Sequence, residues 1–143
     1  MVLMALWCAL LIWAAAGWCD GCPLQDIAGR YHASEMRLTR AGNEVDLLAE
    51  GARLVIRLDP FDSSQGTTDG SLLLPAAYTE SGTTETESLL GRYWYDSTTD
   101  TVAFDHDSDS FLPYLSWQVE GAALKGTFSA ANDRLKVTLQ RDE

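Results

Sequence analysis

The sequence predicts an all-β fold, an eight-stranded antiparallel up-and-down barrel, on three observations. Between Ile27 and Arg141 apolar residues recur at every second position, and helical periodicity is almost absent. Turn chemistry separates these runs at short, regular intervals, the pattern of a sandwich or a barrel. Consecutive hairpins in chain order favour the barrel, because closure removes exposed strand edges.

The first strand is expected from Ile27 to Thr39. Ile27, Gly29, Tyr31 and Ala33 share one face, and the apolar face then passes to Met36 and Leu38. A one-residue shift of this kind predicts a β-bulge near Ser34-Glu35. Val45 to Glu50 reads as a single helical turn before Gly51, capping one end. Leu54, Ile56 and Leu58 alternate with Arg53, Val55 and Arg57, a half-buried strand ended by Asp59-Pro60. Leu72 and Leu74 follow a turn read at Gly66 to Gly70 and stop at Pro75. Ala76 to Glu87 is the longest polar stretch and reads as a mobile loop.

Leu89 to Tyr95 favours a strand, with Tyr93 and Tyr95 on the face opposite Arg92 and Trp94. Ser97 to Asp100 turns it into Thr101 to Phe104, where Val102 and Phe104 share a face. Leu115, Trp117 and Val119 alternate with Ser116 and Gln118. Glu120-Gly121 turns that strand into one carrying Leu124, Gly126 and Phe128. Asn132-Asp133 turns again into Leu135, Val137 and Leu139.

The chain before this body differs in kind. With 143 residues there is room for one domain, and no charged side chain precedes Asp20. Residues 1–16 are expected to be a signal peptide: an apolar run followed by Ala14-Ala15-Ala16, the small-residue pattern of a cleavage site. No Lys or Arg precedes the run, and a retained membrane anchor is the alternative, since a span needs roughly 20 residues. Residues 17–26 form a junction carrying Cys19 and Cys22, and residues 27–143 form the barrel domain. A lipid-attachment box wants a small residue just before the modified cysteine. Cys19 follows Trp18, whereas Cys22 follows Gly21 with Asp20 further back. Lipidation of one cysteine, a Cys19–Cys22 disulfide and neither of these all remain open. The expected location is exported: periplasm, cell surface or secreted, with a membrane tether through the N-terminus as one form.

Charge narrows the partners. Lys and Arg number 10 against 21 Asp and Glu, a net charge of −11, which argues against nucleic acid and anionic membrane surfaces. With two histidines and no organised nucleophile, the chain is not expected to be an enzyme. No cofactor is expected, with one run left open. Asp105, Asp107 and Asp109 alternate as the first ligands of a Ca²⁺ loop do. The glycine and the later glutamate of such a loop are missing, and an acidic turn explains the same residues.

Gly29-Arg30-Tyr31 resembles the G-x-W signature that opens lipocalin barrels, with Tyr in place of Trp. Leu139-Gln140-Arg141 is similar to the late arginine of that family. The resemblance implies that Gly29, Tyr31 and Arg141 close one barrel end, the arginine packed across the aromatic. The wider pattern, I-x-G-x-Y near the start and L-x-V-x-L-x-R near the end, is similar to small bacterial lipocalin-like (calycin-type) envelope proteins. The family's usual members carry a helix after the barrel, and this sequence stops at its last strand. An avidin-like barrel is the fold alternative.

A lipocalin-like barrel implies non-covalent binding of a small apolar or amphipathic ligand. The interior residues expected to meet it are Tyr93, Tyr95, Phe104, Trp117, Phe128, Leu54 and Ile56. These same side chains could instead fill an eight-stranded interior, which is just wide enough to pack solid. In that case the chain is a ligand-free structural or protein-interaction component of the cell envelope. Arg53, Arg57 and Arg92 are expected outside; one pointing inward would suggest a carboxylate ligand.

Overall fold

The computed structural model describes residues 27–62, 64–106 and 110–143. Ten strand segments form in chain order: β1 (Gly29–Arg40), β2 (Asn43–Asp46), β3 (Arg53–Pro60), β4 (Gln65–Leu74), β5 (Glu85–Ser88), β6 (Gly91–Asp96), β7 (Thr101–His106), β8 (Ser116–Glu120), β9 (Ala123–Ala130) and β10 (Asp133–Arg141). They make eight staves. β2 pairs with the far half of β1 and β3 with its near half, so these two share one stave. β5 and β6 likewise both pair with β4, in one register. Each stave is antiparallel to its neighbours in sequence, and β10 pairs with β1 to close an eight-stranded antiparallel barrel.

The closing ladder runs from Tyr31 opposite Arg141 to Arg40 opposite Asp133. These pairs define two ends, called here the floor and the mouth. The bulge falls at Ser34, where the register shifts between Ala33 and Glu35. Its cause is the switch in apolar phase. One extra residue moves the inward row from Tyr31 and Ala33 to Met36 and Leu38, so both halves of the strand bury their apolar side.

Three local expectations need correction. Val45 and Asp46 belong to a strand rather than to a helical turn. The chain then folds out of the wall at residues 47–52, where the Asp46 carboxylate accepts from the N–H groups of Leu48 and Ala49 at 3.1 and 3.3 Å. Gly66 to Gly70 is not a turn but the middle of β4. Glycines there admit close neighbours: a Cβ on Gly70 would lie 2.1 Å from Val55 O, and one on Gly66 2.4 Å from Tyr93 Cε1. The real turn is held by Asp62, whose carboxylate accepts from Ser64 N at 2.9 Å and Gln65 N at 3.0 Å. Finally, the polar stretch 76–87 is only partly loop, since Glu85 begins β5. A 3₁₀ turn at Ala76–Tyr78 follows Pro75.

The interior is filled. Met36, Ile56, Leu58, Leu89, Tyr93, Leu124, Val137 and Leu139 are all 0% exposed. A void able to hold a water molecule would expose the side chains lining it, so no such space adjoins these residues. Packing interlocks large against small: Trp117 lies over Gly126, and Tyr93 lies over Gly66. Phe104 meets Trp117 edge-on at 5.5 Å, and the Trp117 indole N–H donates to Leu112 O at 2.9 Å. No helix among the described residues is long and apolar enough to cross a membrane.

Candidate functional site

At the floor, Tyr31 is 1% exposed and its hydroxyl donates to Ile27 O at 2.8 Å. Arg141 lies against Gly29, so that a Cβ there would sit 3.3 Å from Arg141 Cδ. Burial pushes the Tyr31 phenol above its ordinary pKa, and the neighbouring Arg141 guanidinium partly offsets this. Tyr93 is raised further, first by burial and then by the charge of Asp59, and its hydroxyl has no hydrogen-bond partner. Just outside the barrel, Asp142 continues the seam: its N–H donates to Arg30 O at 2.8 Å and its carboxylate meets His32 at 2.5 Å. This end is sealed.

At the mouth the inward rows run out. Leu38 at the end of β1, Leu74 at the end of β4, Phe128 on β9 and Leu135 on β10 surround an opening of about 230 Å³. Leu47 from the segment after β2, Tyr78 from the 3₁₀ turn and Phe111 from the segment before β8 complete its apolar lining. Phe128 is 39% exposed here, while its buried neighbours on the same face, Leu124 and Gly126, lie deeper. Three charged groups rim the opening: Arg40, Asp133 and Arg134. Arg40 faces Asp133 across the closing ladder at 4.0 Å. Among the described residues Arg134 has no carboxylate within ion-pair distance.

The residues expected to line a ligand cavity thus separate. Leu54, Ile56, Tyr93, Phe104 and Trp117 are between 0 and 5% exposed within the packed interior. Tyr95 is half-buried near the floor, its hydroxyl donating to Asp100 at 2.8 Å. Phe128 alone of the seven reaches the mouth opening. Arg53, Arg57 and Arg92 are exposed on the outer wall, where Arg57 pairs with Asp59 at 3.0 Å. Asp105 is also exposed, opposite Arg92 in the β6–β7 register. Asp107, Asp109, Cys19 and Cys22 lie outside the described residues, as do the leader and the junction. No group of three His, Cys, Asp or Glu side chains among the described residues is placed to hold a metal ion.

The mouth residues escaped the sequence reading for two reasons. Leu38, Leu74 and Leu135 end inward rows, and an alternating pattern does not say where the opposite wall stops. Tyr78 sits in a stretch read as a polar connection, and Phe111 was expected to belong to a strand, which begins only at Ser116. The lone aromatic Tyr78 was the available signal, because a large apolar side chain on a loop tends to cover something. A separate groove of about 670 Å³ crosses the outer wall beside Trp94, Ala103 and Ser116. It follows the place where β7 and β8 diverge, since these strands pair only at Thr101–Gln118 and Val102–Trp117. No family model matches the chain, and no curated protein or solved structure is significantly similar to it.

Proposed function

We propose that this chain is an exported, lipocalin-like barrel that binds a small apolar or amphipathic ligand non-covalently at its mouth. One observation carries the reading: apolar side chains from four staves and three connecting segments converge on an open pocket of about 230 Å³. That volume is below the roughly 300–1,000 Å³ of sites that enclose drug-sized ligands, so the ligand is small or only its end enters. The filled interior argues against a site along the barrel axis. A Gly29–Tyr31–Arg141 floor is in keeping with the lipocalin resemblance. Ile27 packs in the core at that floor beside Tyr31.

The binding test is titration of the isotope-labelled full chain with a short alkyl ligand. Backbone resonances of Leu38, Phe128 and Leu135 are expected to shift together while those of Ile56 and Leu139 stay still. Phe128→Ala should weaken the response. Saturation with no shift at the mouth would overturn the reading. Mass measurement of the protein extracted from its own membranes tests export, through cleavage near Ala16 and any acyl mass on a cysteine.

A second reading has its own observation. Phe61, Leu90, Trp94 and Tyr114 are 76, 51, 38 and 68% exposed, and Arg92 lies between Leu90 and Trp94 on the outward side of β6. Aromatic and arginine side chains of this kind dominate protein interfaces, as a ligand-free envelope component binding another protein would require. Binding that persists in Phe128→Ala and is lost in Trp94→Ala would favour it.

A further inference from the structure

We propose that the groove along the outer wall between β7 and β8 is a second site, apart from the mouth, and that it takes a neutral sugar whose ring stacks on Trp94. The groove has a structural cause. β7 and β8 pair only through Thr101–Gln118 and Val102–Trp117; beyond these, β7 stays with β6 while β8 sets its Ser116 opposite Thr127 of β9. Leu115 and Trp117, 6 and 2% exposed, close the widening gap from beneath, so a trough of about 670 Å³ forms. Its floor is fixed before any ligand arrives, since the Trp117 indole N–H donates to Leu112 O at 2.9 Å.

The lining selects against ions. Charged residues make up 22% of the chain, yet Asp96 alone is charged among the described residues lining the trough. That carboxylate is turned back on its own hairpin, accepting from the Thr98 N–H at 2.9 Å and the Thr98 hydroxyl at 2.6 Å. One wall instead carries neutral hydrogen-bonding groups. Ser116 and Thr127 are exposed partners in the β8–β9 register, and among the described residues neither hydroxyl bonds to the protein. Gln118, the next outward residue of β8, donates to Thr99 O at 2.9 Å and keeps its side-chain oxygen as an acceptor.

The other wall is apolar. Trp94 is 38% exposed on the outward side of β6, and its partner on β7 is Ala103. A methyl group is too short to cover an indole, so Trp94 stays open to the trough. A pyranose matches both walls. One face carries C–H groups whose partial positive charge suits the negative face of an indole. Its edge carries hydroxyls that exchange bonds with Ser116, Thr127 and Gln118, directly or through water. An alkyl chain would desolvate those groups without giving them partners, and a carboxylate or phosphate would find no cation among them. At roughly 30 Å³ for each heavy-atom group, the share of a water in the liquid, a hexose fills about 360 Å³. The trough thus holds one ring and part of a second. This site does not depend on the mouth, and it competes with a protein partner for Trp94.

The isotope-labelled full chain is titrated with cellobiose, maltose, lactose and N,N′-diacetylchitobiose, with glucose and glucuronate as the neutral and charged monosaccharides. At least one disaccharide is expected to shift the Trp94 indole N–H together with the amides of Ser116 and Thr127, and glucuronate should bind more weakly than glucose. Followed on those amides, Trp94→Ala should weaken binding about two- to tenfold, the worth of an aromatic contact beyond its area. Trp94→Phe should fall between the two. Ser116→Ala should weaken it about two- to tenfold through the lost hydrogen bond. Phe128→Ala, at the mouth, should leave sugar binding unchanged, and an unchanged Tm shows that each variant is folded. No shift from any disaccharide up to its solubility limit overturns the inference and leaves Trp94 to the protein-partner reading. Affinity undiminished in Trp94→Ala, or tighter binding of glucuronate than of glucose, overturns it as well.

Discussion

Replacing Gly126 with Ala measures how full the barrel is. Gly126 faces inward on β9, and a Cβ there would lie 2.8 Å from Leu115 Cδ2 and from Trp117 Cδ2 and Cε3. All three atoms belong to side chains, so relief depends on whether those side chains can move. Trp117 is held by its bond to Leu112 O at 2.9 Å and by the edge of Phe104 at 5.5 Å. Leu115 is 6% exposed and has little room. Two effects oppose each other. Alanine in a strand interior is favoured over glycine by roughly 0.5–1 kcal/mol through chain entropy, whereas overpacking a filled core costs about 1–3 kcal/mol. Overpacking wins here, leaving Gly126→Ala less stable by up to about 2.5 kcal/mol. A loss of roughly 3–6 °C in Tm per kcal/mol is expected for a domain of this size. Urea unfolding followed by far-ultraviolet circular dichroism gives the free energy directly. Leu115→Ala should make room, so the double variant should be more stable than additivity requires by about 0.5–3 kcal/mol. A Gly126→Ala protein as stable as the parent, with strictly additive double-variant energies, would refute the filled interior.

Gly66→Ala should cost more than Gly126→Ala in the same urea assay, because its closest atom is the backbone oxygen of Asp59 at 2.3 Å and cannot rotate aside. The two floor tyrosines should differ. Tyr31→Phe strands a buried carbonyl and is expected to lose about 1–3 kcal/mol, whereas Tyr93→Phe removes a hydroxyl without a partner and should be neutral or stabilising in thermal melts. Both phenols have folded pKa values above the ordinary 10.0, so their contribution is complete below about pH 10 and is lost as pH rises beyond it. Absorbance at alkaline pH should show them ionising with unfolding, and Tyr93→Phe should flatten the alkaline loss of stability. At the other extreme, bonds from Thr98 hold the Asp96 carboxyl below its ordinary 3.8. Its contribution is present above that value and disappears as pH falls, so Asp96→Asn should flatten the acid limb of a stability–pH curve.

Much of the wall was legible in the sequence because burial on one side writes a period of two. Tyr31 and Met36 lie on opposite parities, yet both are inward, and the apolar phase alone placed the bulge between them. Glycine was less legible. Gly66 and Gly70 carry the same letters a turn would, and only the approach of Tyr93 and Val55 shows that they serve packing. The β5 segment hid for a related reason. Glu85 to Ser88 alternate in exposure without any large apolar side chain, so the register against β4 is visible only in backbone pairing. The mouth was not legible because it depends on which inward rows end at the same height, a property of strand stagger rather than of any one segment.

That stagger explains why the opening is at one end and not along the axis. An eight-stranded barrel is just wide enough for side chains to fill, provided large residues on one stave meet small ones on the next. The floor and middle satisfy this: Tyr93 crosses Gly66, and Trp117 crosses Gly126. At the mouth no such partner remains. Leu38, Leu74 and Leu135 are of similar size, while Phe128 stays 39% exposed. The gap is thus the residue of a packing rule applied until the staves end. Filling it from within should close it: Leu135→Phe adds bulk on the neighbouring stave beside Phe128. If the mouth is a binding pocket, this substitution should abolish binding of a short alkyl ligand with little change in Tm. Undiminished binding in Leu135→Phe would place the ligand elsewhere on the molecule.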